Sequence, residues 1–157
     1  MAKPLHSNTL TGWREWVALP SIGVDWVKAK IDTGARTSSL HAFDIEDSGD
    51  TVSFTVHPWQ ESESDAVRVE CPVFDRRTVR SSSGHTEERI VVLLDLVLVG
   101  REVTAELTLT NRDAMGFRML IGREVLRQGF VVDSASSFVG GRAPREVRRA
   151  NRGRIQS

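Results

Sequence analysis

The sequence predicts an all-β protein, a small closed barrel with one short helix toward the C-terminal end. Three observations carry this. Apolar and polar residues alternate in stretch after stretch: in 51–57, Val52, Phe54 and Val56 interleave with Ser53, Thr55 and His57, the two-residue period of a half-buried strand. Polar turns bearing glycine separate these stretches at short intervals. No amphipathic stretch of roughly 10–15 residues at helical spacing occurs, which argues against alternating β-α-β units.

The elements follow in order. Residues 1–11 read as a loose lead-in and 12–139 as the barrel domain. Residues 13–19 predict a strand, 20–23 a turn, and 24–31 a second strand that delivers Asp32 to a turn at Thr33-Gly34. Residues 38–45 continue as strand, closed by Asp47-Ser48-Gly49-Asp50, and 51–57 form the next one. An acidic loop spans 58–65. Residues 67–79 and 88–99 predict two long strands flanking a polar tip at 80–87. Gly100-Arg101 turns into a strand at 103–109, and a loop at 111–117 leads to a short apolar strand at 119–121. One or two helical turns fit 122–127 before Gly129, and 130–133 is a last strand. No internal repeat is present.

Bulk properties narrow the class. A chain of 157 residues fits one domain, which at this size buries roughly 68–70% of its unfolded surface and needs neither disulfide nor metal to fold. With 39% hydrophobic and 27% charged residues, the composition is ordinarily globular. The single cysteine, Cys71, excludes an internal disulfide and suits a reducing compartment; it reads as a small core residue. No apolar run approaches the ~20 residues of a membrane span, and the first ten residues lack the pattern of a signal peptide, so the expected location is cytoplasmic with no membrane association. Net charge is zero, yet 140–157 holds six arginines against one acid, +5, and leaves the rest at −5. That arginine-rich tail is expected to be disordered. It could meet ribosomal RNA phosphates, hold an acidic partner, or stand solvated; no aromatic interleaves the arginines, so base stacking is not indicated.

The chemistry centres on Asp32-Thr33-Gly34-Ala35, which ends an apolar stretch and is answered late by Met119-Leu120-Ile121-Gly122-Arg123. Asp and Gly mark turns everywhere, so the tripeptide alone is also what a plain β-turn looks like. Its context, a strand leading in through Val27, Ala29 and Ile31 and a distant apolar-Gly-Arg element, is that of an aspartic protease half-site. Two carboxylates about 3 Å apart share one proton; the ionised one takes a proton from a trapped water while the protonated one polarises the scissile carbonyl. One copy per chain therefore implies a homodimer. Thr33 can hydrogen-bond across the pair, Gly34 leaves room for a substrate backbone, and Ala35 keeps the turn small.

Several separated segments resemble the RimB-type retropepsin-like family, also catalogued as ATP-dependent zinc proteases and associated with RimK-like ATP-grasp ligases. They are 13–20, Lys28 through Ala42, Arg80-Ser81-Ser82-Ser83-Gly84 with Glu88-Arg89, Arg112-Asp113-Ala114-Met115, and Met119 through Arg123. The likeness covers residues 12–138. It implies a retropepsin-like closed barrel, a homodimer with a shared active site, catalytic Asp32, Thr33 and Gly34, and structural Ile121, Gly122 and Arg123. It also implies work beside a ligase that adds glutamates to a ribosomal protein tail. Neither label, ATP nor zinc, follows from these residues: there is no His-Glu-x-x-His and no Gly-rich Lys-Ser/Thr loop. His6, His41, His57 and His85 do not pair at a ligand spacing. No cofactor and no metal are expected; a zinc peptidase remains an alternative carried by the label, with a cross-chain site at His41 as its one conceivable form.

Two positions depart from the retroviral pattern. Where that pattern has an apolar residue two before the Asp and an acid two after the Gly, this chain has Lys30 and Arg36. Strand alternation puts Lys30 on the face of Asp32. Either both cations point to solvent or pair with acids, or they make the groove basic and select an acidic, glutamate-rich peptide. Arg36 cannot pair with Arg123, so Arg123 needs another partner, such as Glu124 or Asp113. The tip near Ser82, Ser83 and Gly84 is a candidate flap over substrate, or an ordinary polar hairpin loop. The expected function is thus an aspartic endopeptidase. The alternative is a non-catalytic module that binds a RimK-like ligase or its acidic product.

Overall fold

A computed structural model describes residues 8–57, 66–80, 83–111 and 117–152. The strands are β1 (Thr9–Thr11), β2 (Arg14–Leu19), β3 (Val24–Ile31), β4 (Ser38–His41), β5 (Phe43–Asp47), β6 (Thr51–Val56), β7 (Val67–Pro72), β8 (Asp75–Arg80), β9 (Thr86–Leu98), β10 (Arg101–Thr110), β11 (Met119–Ile121) and β12 (Phe130–Val132). Two α-helices follow β11 and β12: α1 (Arg123–Leu126) and α2 (Arg145–Arg152).

Strands β10, β4, β11, β3, β2 and β9 are hydrogen-bonded in that order, and β9 returns to β10, closing a six-stranded barrel. The all-β expectation holds. Strand β8 extends β9 on its free side, β5-β6-β7 form a separate antiparallel sheet, and β1 pairs with β12 in parallel. The sequence dictates the barrel through its alternation. In β3, Val27, Ala29 and Ile31 are buried while Lys28 and Lys30 are only half so. The phase slips before Val27, where the register with β2 shifts between Val17 and Leu19, the mark of a bulge. Val17, Leu19, Leu40, Leu96, Leu98, Leu107 and Ile121 are fully buried, each stabilising the fold by about 1.5–3 kcal/mol through area removed from water. The β9–β10 connection is Val99-Gly100, with φ of 51° and 75°. Two consecutive left-handed residues give the two-residue turn whose twist matches antiparallel strands. The turn sits one residue before the expected Gly100-Arg101.

Three expectations are corrected. The lead-in is not loose throughout: Thr9–Thr11 is a strand on β12, with Thr11 fully buried. Three residues are too few to display a period. Residues 67–79 are not one strand. Pro72 lacks an N–H, and beyond it the Val73 N–H donates to the Asp50 carbonyl at 2.9 Å while that of Phe74 donates to Val91 at 2.8 Å. The chain thereby leaves the small sheet and joins the barrel. Finally, the arginine-rich tail is not disordered as far as residue 152. Val147 of α2 and Ala143, just before the helix, are buried against Trp16, on which Phe138 stacks at 6.1 Å. Glu15, wholly buried, anchors the approach to α2. Its carboxylate accepts the N–H groups of Gly12 (2.6 Å), Val139 (2.9 Å) and Gly140 (3.1 Å).

Among the described residues no helix is long and apolar enough to cross a membrane.

Candidate active site

Asp32 follows the last residue of β3 and is held by three backbone contacts. Its N–H donates to the Ile121 carbonyl at 2.8 Å, its carbonyl accepts the Ala35 N–H at 3.2 Å, and its Oδ1 accepts the Gly34 N–H at 2.9 Å. The turn leaves Thr33 and Gly34 exposed and the Asp32 side chain half-buried at the rim. A β-carbon on Gly34 would lie 3.2 Å from Asp32 Oδ1, so glycine keeps that oxygen's surroundings open.

The second apolar-Gly element locks this turn from behind. Strand β11 lies between β3, to which it is parallel, and β4, to which it is antiparallel, with Leu120 opposite both Lys30 and Ser39. Where β11 passes into α1, the Gly122 N–H donates to Ser38 Oγ (2.9 Å), that of Arg123 to the Ala35 carbonyl (2.8 Å), and that of Glu124 to the Arg36 carbonyl (3.0 Å). The orphan donors at the start of a helix thus satisfy the carbonyls of the acid-bearing turn. Gly122 is required by this closeness: a β-carbon there would sit 2.5 Å from the Thr37 carbonyl oxygen and 2.8 Å from that of Ala35.

The sequence-predicted residues are distributed as follows. Asp32, Thr33, Gly34, Ala35 and Arg36 are brought together with Ile121, Gly122 and Arg123. Arg123 does not pair with Glu124, one of the two carboxylates expected for it. Its Nη1 donates to the Thr33 carbonyl at 3.1 Å, while Glu124 is taken by Arg36 at 3.2 Å; Asp113 lies outside the described residues. Arg36 and Glu124 share a recess of about 380 Å³ with Thr37, Arg77 and Glu106. There Arg77 and Glu106 are also paired, at 2.6 Å, so the recess is electrically balanced. Lys30 points away from the core, opposite Arg14 on β2. Ser83 and Gly84 are exposed at the tip of the β8–β9 hairpin, where Gly84 has φ 91°; Ser82 lies outside the described residues. The base of that hairpin is tied to the β5–β6 turn by Arg76, whose guanidinium holds Asp47 through both carboxylate oxygens (2.6 and 2.8 Å) and the Gly49 carbonyl (2.8 Å). Arg76 and the Gly49 N–H keep the Asp47 carboxyl far below its ordinary range.

His41 is buried with its ring edge-on to Phe43 at 4.6 Å. Cys71 is half-buried against the core, and desolvation pushes its thiol pKa up. Among the described residues no three His, Cys, Asp or Glu side chains converge as a metal site. Sequence reasoning missed Ser38, whose hydroxyl holds Gly122. The only available signal was its place six residues after Asp32, which means nothing without knowing that β11 inserts between β3 and β4. It also missed Arg118, buried with its guanidinium 5.4 Å from the Phe43 ring.

Similarity to known proteins agrees with this geometry. A probable alpha-L-glutamate ligase of Parasynechococcus marenigrum (strain WH8102) is 48% identical over 132 residues, 82% of this chain but 28% of that protein. One from Shewanella pealeana is 45% identical over 133 residues, 29% of its length. The chain thus spans less than a third of these relatives. The crystal structure of a Legionella pneumophila protein of unknown function superposes with a TM-score of 0.69 at 29% identity, covering 85% of this chain and 99% of that one. The model of the retropepsin-like aspartic endopeptidase RimB matches residues 10–143. With the Asp32 turn and its Gly122-Arg123 lock inside that span, the chain belongs to the RimB-like family of retropepsin-like proteins.

Proposed function

We propose that this protein is an aspartic endopeptidase that works as a homodimer, each copy supplying Asp32. The observation that carries the reading is the rim position of the Asp32 carboxyl on a turn fixed by Ile121, Gly122 and Arg123. Among the described residues no second carboxylate is hydrogen-bonded to Asp32, and the chemistry needs two. Across a two-fold axis, Asp32 of one copy and Asp32 of the other share one proton. The ionised carboxylate takes a proton from water as its oxygen attacks the peptide carbonyl carbon. The protonated one donates a hydrogen bond to the carbonyl oxygen. When the tetrahedral species collapses, the C–N bond breaks and the amine leaves with a proton from the pair. The β8–β9 hairpin tip serves as the flap.

The substrate is an acidic, glutamate-rich chain. Lys30 stands two residues before Asp32 on its face, and the relatives that contain this domain carry the name of a glutamate ligase. Ligation in those longer proteins and hydrolysis here would then act on one kind of product. Asp32→Asn tests the reading. Cleavage of an oligoglutamate peptide should be lost while circular dichroism and melting temperature stay those of the parent. Unchanged cleavage in the variant refutes it. A second reading, a non-catalytic module that grips the ligase or its acidic product, is favoured by the same names. It requires tight peptide binding with no cleavage by the parent.

A further inference from the structure

Ion pairing is uneven over the surface. Arg36, Arg68, Arg76, Arg77, Arg89 and Arg127 each hold a carboxylate. The arginines around the stacked rings of Trp16 and Phe138 hold none among the described residues. Arg14 lies 4.9 Å and Arg142 5.4 Å from the centre of the Phe138 ring, so one aromatic carries two guanidiniums. Phe138 takes φ 54° to sit there, uncommon for a bulky side chain, and its N–H donates to the Arg14 carbonyl at 2.9 Å. The Glu15 carboxylate, next in sequence to Arg14, is taken up by the N–H groups of Gly12, Val139 and Gly140.

Helix α2 extends this cluster. Val147 faces Trp16. Arg145 and Arg149 stand two residues before and after Val147, each roughly 160° around the helix from it. They therefore point away from the barrel, and both are exposed, as is Arg142. Arg148 differs: it is half-buried, and its Nε donates to the Ala143 carbonyl at 3.1 Å. Glu146 is the one acid in residues 140–157.

We infer that Arg142, Arg145 and Arg149 form a site for the phosphate backbone of a nucleic-acid duplex. Guanidiniums clustered on one side of a helix, with no carboxylate of the protein to balance them, are the electrostatic footprint of such a partner, and arginine grips phosphate bidentately. The chain is neutral overall, so the attraction is local to this face. Rigidity favours a duplex. Arg145 and Arg149 are one turn apart, about 6 Å along the axis, on a helix fixed to the barrel; a duplex offers an equally fixed array, one charge per about 1.7 Å. A flexible acidic peptide would lose chain entropy on lying along the same row. Single strands bind through bases stacked on aromatic rings, but here Trp16 is buried and Phe138 carries the guanidiniums. A bilayer needs an exposed apolar helix face, and Val147 of α2 is covered by Trp16. The inference does not rest on the peptidase reading.

The test is fluorescence anisotropy of the full chain with short labelled RNA and DNA duplexes of mixed sequence. With one phosphate per arginine, affinity should fall about 40-fold between about 50 and 200 mM salt, a slope of about −0.9 for each contact. Arg142→Gln, Arg145→Gln and Arg149→Gln should each reduce that slope by about 1. Their side chains are exposed and glutamine is a good helix former, so circular dichroism should match the parent. Arg127→Gln, just after α1, removes the same charge elsewhere and should leave affinity and slope unaltered. Binding of either duplex with this signature supports the site, and the tighter of the two identifies the nucleic acid. No binding at about 50 mM salt, a slope untouched by the three variants, or one lowered as much by Arg127→Gln, overturns it. So does oligoglutamate that binds as tightly as the duplexes and weakens in the same variants, the result expected of a site for acidic protein.

Discussion

Replacing Gly122 by alanine should damage the site and the fold together, and the size of the effect can be worked from the contacts. Gly122 has φ −102° and ψ −172°, extended backbone that alanine adopts without strain. The whole penalty is therefore steric. The new methyl carbon would be 2.5 Å from the Thr37 oxygen and 2.8 Å from that of Ala35. Both obstacles are backbone, so β11 and α1 must retreat from the turn. Retreat weakens three hydrogen bonds, to Ser38, Ala35 and Arg36, at about 0.5–1.5 kcal/mol each, on top of an overpacking cost of about 1–3 kcal/mol. Allowing for partial relaxation, the loss is roughly 2–5 kcal/mol out of a total of about 5–15. For a domain of this size that is a fall in Tm of roughly 5–15 °C. Calorimetry and urea titration measure it directly. A Gly122→Ala protein melting within about 1 °C of the parent would refute the claim that β11 and α1 press against the acid-bearing turn.

Two further outcomes follow from groups outside the turn. Glu15→Ala leaves the N–H groups of Gly12, Val139 and Gly140 without their acceptor in a buried site, so urea unfolding should show a loss of roughly 3–5 kcal/mol; a change under about 1 kcal/mol would mean that the carboxylate does not anchor the C-terminal segment. For Asp47, hydrogen bonding to Arg76 depresses the folded-state pKa below the ordinary 3.8. Its contribution is therefore complete above that value and is lost as pH falls from there through the depressed value. Asp47→Asn should be less stable than the parent at neutral pH, with the gap closing only in strong acid. A gap that is already closed at pH about 5 contradicts the assignment.

Most of the barrel was legible because its strands bury one face and so write the two-residue period plainly. Val24–Ile31 and Met119–Ile121 have the bounds expected of them. The acid-bearing turn and its distant Gly-Arg partner were legible as a pair for a different reason: each needs a rare small residue at one place. What escaped was set by contacts between remote segments. Thr9–Thr11 is strand only because β12 accepts it. Among the residues 145–149 of helix α2 only Val147 is buried, with Ala143 before the helix, and arginine dominates the segment, so composition argues for disorder while Trp16, far away in sequence, supplies the packing. Arg123 could not be matched to its acceptor because that acceptor is a backbone carbonyl, which carries no sequence signal. Arg118 has no sequence signal of its own; its place beside β4 shows only in the His41 N–H that donates to its carbonyl.

Subunit mixing addresses the pairing of Asp32 most directly. Parent and Asp32→Asn chains, unfolded together in equal amounts and refolded, should retain about one quarter of the parental cleavage of oligoglutamate, since only dimers with two intact carboxylates turn over. Retention of about one half, the value for independently active chains, would contradict the account.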